Sequence, residues 1–116
     1  MQQKNEITLE RRNDITLVTV QGDITAQSEP YINDAYLNAN AQGTIQKILI
    51  QFQEDAYINS GGIAVLIQIL AQTQKNNQKI GITGLSDHFK KIFRMVGITK
   101  FADIYNSLEE GLEAMS

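Results

Sequence analysis

The sequence has no cysteine, no tryptophan and a single proline, and none of its apolar runs is long. Without cysteine, disulfides and thiolate metal sites are excluded outright, which suits a reducing compartment. With Pro30 alone and no tract rich in glycine or serine, no linker or low-complexity segment divides the chain. One domain is therefore expected over residues 1–116, with 5–115 its structured part, a size that buries a core without staples. The longest apolar stretch, Ile63 to Leu70, is broken by Gln68 and falls far short of the ~20 residues a spanning helix needs. Met1 to Glu6 is polar and lacks the apolar centre of a signal peptide, so a soluble, cytoplasmic protein without membrane insertion is expected. Positive charge is also sparse. Ten Lys and Arg against thirteen Asp and Glu give a net charge of −3, and the bases pair only at Arg11-Arg12 and Lys90-Lys91. With no basic stripe, direct nucleic-acid binding through phosphate contacts is disfavoured.

Hydrophobic periodicity supplies the architecture. Alternation over Glu6 to Glu10 and again over Ile15 to Val20, with the turn pair Asn13-Asp14 between them, reads as a hairpin that ends at Gly22. Ser28, Glu29 and Pro30 form a helix-start signal, followed by Ile32, Ala35, Tyr36 and Ala39 at helical spacing and by Gly43 as a stop. From Ile45 to Phe52 the continuous run Ile48-Leu49-Ile50 predicts a central strand covered on both faces. A helix from Ser60 carries Ile63, Leu66, Ile67 and Leu70 and fades near Asn76-Asn77. Lys79 to Thr83 reads as a strand ended by Gly84. Ser86 caps a helix with the stripe Phe89, Ile92, Phe93 and Val96, and Gly97 stops it. A short strand near Phe101 to Ile104 precedes a last helix, where Asn106 and Glu109 have capping-box spacing. The order β-β-α-β-α-β-α-β-α implies an α/β fold: a mixed, mostly parallel sheet of four to five strands with about four helices and an antiparallel hairpin at its start. Sites on such sheets gather at the carboxyl ends of the strands.

The turn Tyr57 to Gly62 lies at one of those ends, and it is the richest in chemistry. Ser60 sits at or beside the N-cap of the following helix, and Gly61 and Gly62 leave its hydroxyl unshielded. A phosphate on that hydroxyl would meet orphan N–H groups and the positive end of the helix dipole. From local features alone Ser60 reads first as a helix cap worth roughly 1 kcal/mol, and local physics permits a switch there without demanding one.

Three ordered blocks bring a family into view. Tyr57-Ile58-Asn59-Ser60-Gly61-Gly62-Ile63-Ala64-Val65-Leu66 resembles the signature of STAS domains, particularly the bacterial anti-sigma factor antagonists. Leu17 to Ile24 is similar to the family's second strand with its Gly-acid-apolar ending. Phe89 to Ile98 and Ile104 to Leu112 are similar to its C-terminal pattern. The resemblance implies a STAS-like single domain that acts as an anti-sigma factor antagonist by partner switching. It implies two partners, an anti-sigma factor with serine kinase activity and a serine phosphatase, and leaves a homodimer open. The unphosphorylated form would bind the kinase, and phosphorylation of Ser60 would release it. The partner-binding surface carried over comprises Gly22, Asp23, Ile24 and Thr25, then Tyr57, Ile58, Asn59, Gly61, Gly62 and Ile63, with Thr83, Gly84 and Leu85 beside them. Asn59, Gly61 and Thr25 depart from the family's usual acid, hydroxyl residue and aspartate, and the pair Gly61-Gly62 is also similar to the STAS subunits of lipid-transport ATPase complexes. A constitutive adaptor subunit of an ATPase, transporter or sensor, with no phosphorylation switch, is the alternative.

Enzymatic readings are weaker. The one histidine, His88, lies in the first turn of a different helix from Ser60, and Ile58-Asn59-Ser60-Gly61-Gly62 is not a Gly-x-Ser-x-Gly elbow. Gly81 to Gly84 lacks the lysine and hydroxyl residue of a P-loop, and Glu54-Asp55 reads as a polar turn without converging ligands. No cofactor, no metal and no catalytic residue is expected.

Overall fold

A computed structural model describes residues 5–41 and 46–116. Strands β1 (Glu6–Arg12) and β2 (Ile15–Gln21) form the expected hairpin, with Glu6 opposite Gln21 and Arg12 opposite Ile15. Asn13 takes the left-handed conformation the turn requires (φ 56°), one that asparagine tolerates better than most residues. Asp14, beside it, pairs with Lys47 Nζ at 2.9 Å and ties the turn to the start of β3 (Lys47–Phe52). Strands β2, β3, β4 (Lys79–Thr83) and β5 (Asp103–Ile104) run parallel, and the spatial order is β1-β2-β3-β4-β5.

That order makes β3 the middle strand, which explains its uninterrupted apolar run. Ile48 and Ile50 point into a core with α1 (Glu29–Ala41), α2 (Ser60–Lys75) and α3 (Asp87–Met95). Leu49 points the other way and packs with Ile15, Leu17 and Met115 beneath α4 (Leu108–Met115). Ile32, Tyr36 and Ala39 of α1, Leu66 and Leu70 of α2, and Phe89 and Phe93 of α3 are all buried, as their spacing required. Phe93 meets Phe52 edge-on with ring centroids 6.4 Å apart.

Local starts and stops differ from expectation in four places. Ser28 does not open α1. Thr25 caps a one-turn 3-10 helix, Ala26–Ser28, that runs directly into α1, and buried Ser28 accepts a hydrogen bond from the Thr25 N–H instead. At the last helix the cap is Ser107, whose hydroxyl accepts from the Glu110 N–H at 3.0 Å, while Glu110 reaches back to the Asn106 N–H at 3.1 Å. The expected pairing of Asn106 with Glu109 is thus displaced by one residue. The strand expected from Phe101 is limited to Asp103–Ile104, because Ile98–Lys100 continue as a 3-10 turn after Gly97. Val96 is exposed, since α3 ends at Met95 and Gly97 turns the chain away at φ 85°. The expected stop at Gly43 and strand start at Ile45 lie outside the described residues.

Candidate functional site

Beyond the last residues of β2 and β3 the chain continues to pair. Ile24 and Ile58 form an isolated parallel bridge, in which the Ile24 N–H donates to Tyr57 O at 2.9 Å and the Asn59 N–H to Ile24 O at 3.1 Å. Both isoleucines are buried and anchor the two loops to the core. Asp23 clamps the same pair of loops from its side chain, with Oδ1 accepting from the Tyr57 N–H at 2.9 Å. Gly22, at φ 95°, donates its N–H to Gln53 Oε1 at 3.1 Å.

The junction with α2 is set by Asn59, not Ser60. Asn59 is the N-cap in extended conformation, and its Oδ1 accepts from the Gly62 N–H at 2.9 Å. Ser60 is thereby the first residue of α2, exposed, and among the described residues its hydroxyl has no hydrogen-bond partner. Gly62 is required by contact. A Cβ there would stand 2.2 Å from Ile24 O, so the first turn of α2 lies directly on the loop after β2. Gly61 faces Ala26 more loosely, where a Cβ would find Ala26 Cβ at 3.0 Å. The backbone N–H groups of Ser60 and Gly61 have no acceptor among the described residues, and the first turn carries no acidic side chain.

Tyr57 is 61% exposed, with its ring edge-on to Phe89 at 6.0 Å between centroids. That contact joins the loop after β3 to α3. The end of β4 is drawn in beside it, because Gly84 (φ 84°) sits so close to Phe52 that a Cβ would meet Phe52 O at 2.0 Å. The thirteen residues expected around Ser60 therefore separate by exposure. Asp23 and Tyr57 are exposed, and Gly22, Thr25, Asn59, Gly61, Ile63 and Gly84 are half-buried. Ile24, Ile58, Gly62, Thr83 and Leu85 are buried and hold the loops from beneath.

His88 stacks edge-on against Phe89, and no hydrogen bond joins it to Ser60 among the described residues. Among the described residues no group of three His, Asp or Glu side chains is placed to hold a metal, and no helix is long and apolar enough to cross a membrane. Two features escape sequence reasoning. An asparagine three residues before Gly62 is a usable cap signal, although the neighbouring serine competes for the same role. The Asp23–Tyr57 clamp joins residues 34 apart and has no local signature.

The strand ends of this mixed sheet thus hold out an exposed loop-to-helix junction. The sequence model of the STAS domain matches residues 6–111, and the chain belongs to the STAS domain family. Nineteen chains of solved structures match its fold. An anti-sigma factor antagonist from Mycobacterium paratuberculosis superposes with a TM-score of 0.80 at 18% identity, covering 97% of this chain and 94% of that one. RsbS of Moorella thermoacetica bearing a serine-to-glutamate substitution gives 0.77 at 14% identity, over 94% and 93% of the two chains. The Bacillus cell fate determinant SpoIIAA in its phosphorylated form gives 0.67 at 14% identity, over 96% and 100%. No curated protein sequence matches the chain.

Proposed function

We propose that this protein is an anti-sigma factor antagonist that works by partner switching in the cytoplasm. Unphosphorylated, it binds an anti-sigma factor that is also a serine kinase. Phosphorylation of Ser60 releases that partner, and a serine phosphatase resets the switch. The domain is the substrate and ligand in this cycle and supplies no catalytic group of its own.

The observation that carries the reading is the division of labour between Asn59 and Ser60. Asn59 makes the capping hydrogen bond, so the exposed Ser60 hydroxyl has no structural duty. A phosphate at that position faces the free N–H groups of Ser60 and Gly61 and the positive end of a 16-residue helix, so it forms without unfolding the domain. The phosphate adds about −1.5 to −2 charges near pH 7. All of that change falls on one loop of a protein whose net charge is −3. Against a partner surface, an uncompensated charge of this kind costs about 2–5 kcal/mol, or roughly 30-fold and more in affinity. Tyr57 and Asp23 flank Ser60 on the exposed surface, and Thr25, Gly61 and Ile63 complete the contact area. Among solved neighbours, one was captured with its phosphate and one with a glutamate in place of a serine, which supports the same kind of chemistry here.

The test is titration of the partner kinase with unmodified protein, with enzymatically phosphorylated protein and with Ser60→Ala. Tight binding of the first and third and loss of the second is the expected pattern. Equal binding of all three would leave the constitutive adaptor, the reading favoured by Gly61 in place of the family's second hydroxyl residue.

A further inference from the structure

Strand β1 is an edge strand, and the sequence along its free edge is complementary to itself. From Glu6 to Arg12 it reads Glu-Ile-Thr-Leu-Glu-Arg-Arg, acidic at the start and basic at the end. Six of its seven residues are exposed. Its odd-numbered residues face α1, and between β1 and α1 runs an open groove of about 250 Å³ lined by Asn5, Ile7, Leu9, Tyr31, Asp34 and Asn38. Asn5 is only 7% exposed. Its Nδ2 donates to Gln21 O and Asp23 O, but its Oδ1 is a buried acceptor with no partner among the described residues. Leaving such an acceptor unpaired is costly, and native structures keep few of them.

We propose that the occupant of this edge is a second copy of the chain, with β1 pairing antiparallel to the partner's β1 about a two-fold axis through Leu9. Residues directly opposite across an antiparallel pair share a face and interact, and like charges opposite one another destabilise the pair. With the axis at Leu9, Glu6 faces Arg12 of the second copy, Thr8 faces Glu10, Ile7 faces Arg11 and Leu9 faces Leu9. Every charge meets an opposite or a neutral group, and the Glu6–Arg12 match occurs twice by symmetry. Moving the axis to Thr8 sets Glu6 against Glu10 twice, and moving it to Glu10 sets two Glu10 side chains against each other. Of these three registers, charge favours the one centred on Leu9, which is also the one that brings Glu6 and Arg12 together.

The same register accounts for the groove. Ile7 lines it together with Asp34, so the guanidinium of Arg11 from the second copy enters beside the Asp34 carboxylate. Within one chain Arg12 is already drawn toward Glu10 at 3.3 Å on the face that Glu6 shares, so it is held on the correct side of the strand. Charged residues on an edge normally discourage pairing. Here their order makes them selective for an antiparallel copy. An interface of one seven-residue strand is small, which places association in the micromolar range or weaker.

Two experiments test the register directly. The chain has no native cysteine, so Leu9→Cys introduces a single thiol that meets its own copy across the axis. Leu9→Cys should yield a disulfide-linked dimer under mild oxidation, while Thr8→Cys, whose thiols lie on the other face and out of register, should not. In sedimentation up to several hundred micromolar, Glu6→Arg and Arg12→Glu should each dimerise about tenfold more weakly than the unaltered chain or worse. An equimolar mixture of the two variants should restore the dimer as a heterodimer, because one chain then carries only positive and the other only negative charges at these two positions. Circular dichroism of each variant confirms that it is folded. A chain that remains monomeric throughout, a mixture no more associated than its components, or equal cross-linking at positions 8 and 9 would overturn the proposal.

Discussion

Asn59 and Ser60 are adjacent polar residues at one helix start, and substitution separates what each does. Asn59→Ala removes the cap on the Gly62 N–H and should cost about 1 kcal/mol in urea denaturation, within a usual range of about 0.5–2. Ser60→Ala should change stability by less than about 0.5 kcal/mol, as exposed positions without a partner do. The reverse order would return Ser60 to a structural role and remove the main support for the switch. Gly62→Ala should cost about 1–3 kcal/mol or more, because a Cβ 2.2 Å from Ile24 O forces the first turn of α2 off the loop after β2. Gly61→Ala meets only Ala26 at 3.0 Å and should cost less, and denaturation of the pair checks the ranking. Tyr57→Ala exposes little that is now buried, so it should weaken partner binding far more than it weakens the fold.

Between β5 and α4, half-buried Tyr105 carries a titration shifted by its surroundings. Burial against α4, with Asp103 and Glu110 close by, raises the Tyr105 phenol above its ordinary 10.0. A group whose folded pKa is raised stabilises the fold fully below its unfolded pKa and loses that contribution as pH climbs through the folded one. Thermal stability should therefore fall above about pH 10, and Tyr105→Phe should flatten part of that fall. An unchanged alkaline slope in Tyr105→Phe would assign the loss to other groups. The elements are also where the sequence was most and least legible. Ile48-Leu49-Ile50 announced a strand covered on both faces, and the spacing on α2 and α3 named Leu66, Leu70, Phe89 and Phe93 of the core but missed buried Val65 and Ile69 and included exposed Val96. Helix starts were less readable wherever two capable residues stand near each other: Thr25 and Ser28, Asn59 and Ser60, Asn106 and Ser107. Propensity does not choose within such pairs. At α2 the choice is made by tertiary structure, since the Asn59 N–H is bound to Ile24 O and fixes that residue in the extended conformation of a cap.

For the molecule as a whole, the sheet gathers the ends of β2, β3 and β4 on one border and leaves β1 free on another. The first border was foreseeable because alternating strands and helices make the strands parallel, and parallel strands end on the same side of the sheet. Its assembly was not, since the bridge Ile24–Ile58 and the clamp Asp23–Tyr57 join residues 34 apart. Neither contact involves Ser60, so the proposed switch is electrostatic and should leave the fold unchanged. The central claim is that Ser60 is modified in life. Intact mass with site mapping, on protein recovered from its own cells across growth and stress, tests it most directly. The account predicts one phosphate, on Ser60, whose occupancy rises and falls with conditions and is absent from the fraction bound to the kinase. Ser60 unmodified under every condition, with a partner still co-purifying, would contradict it.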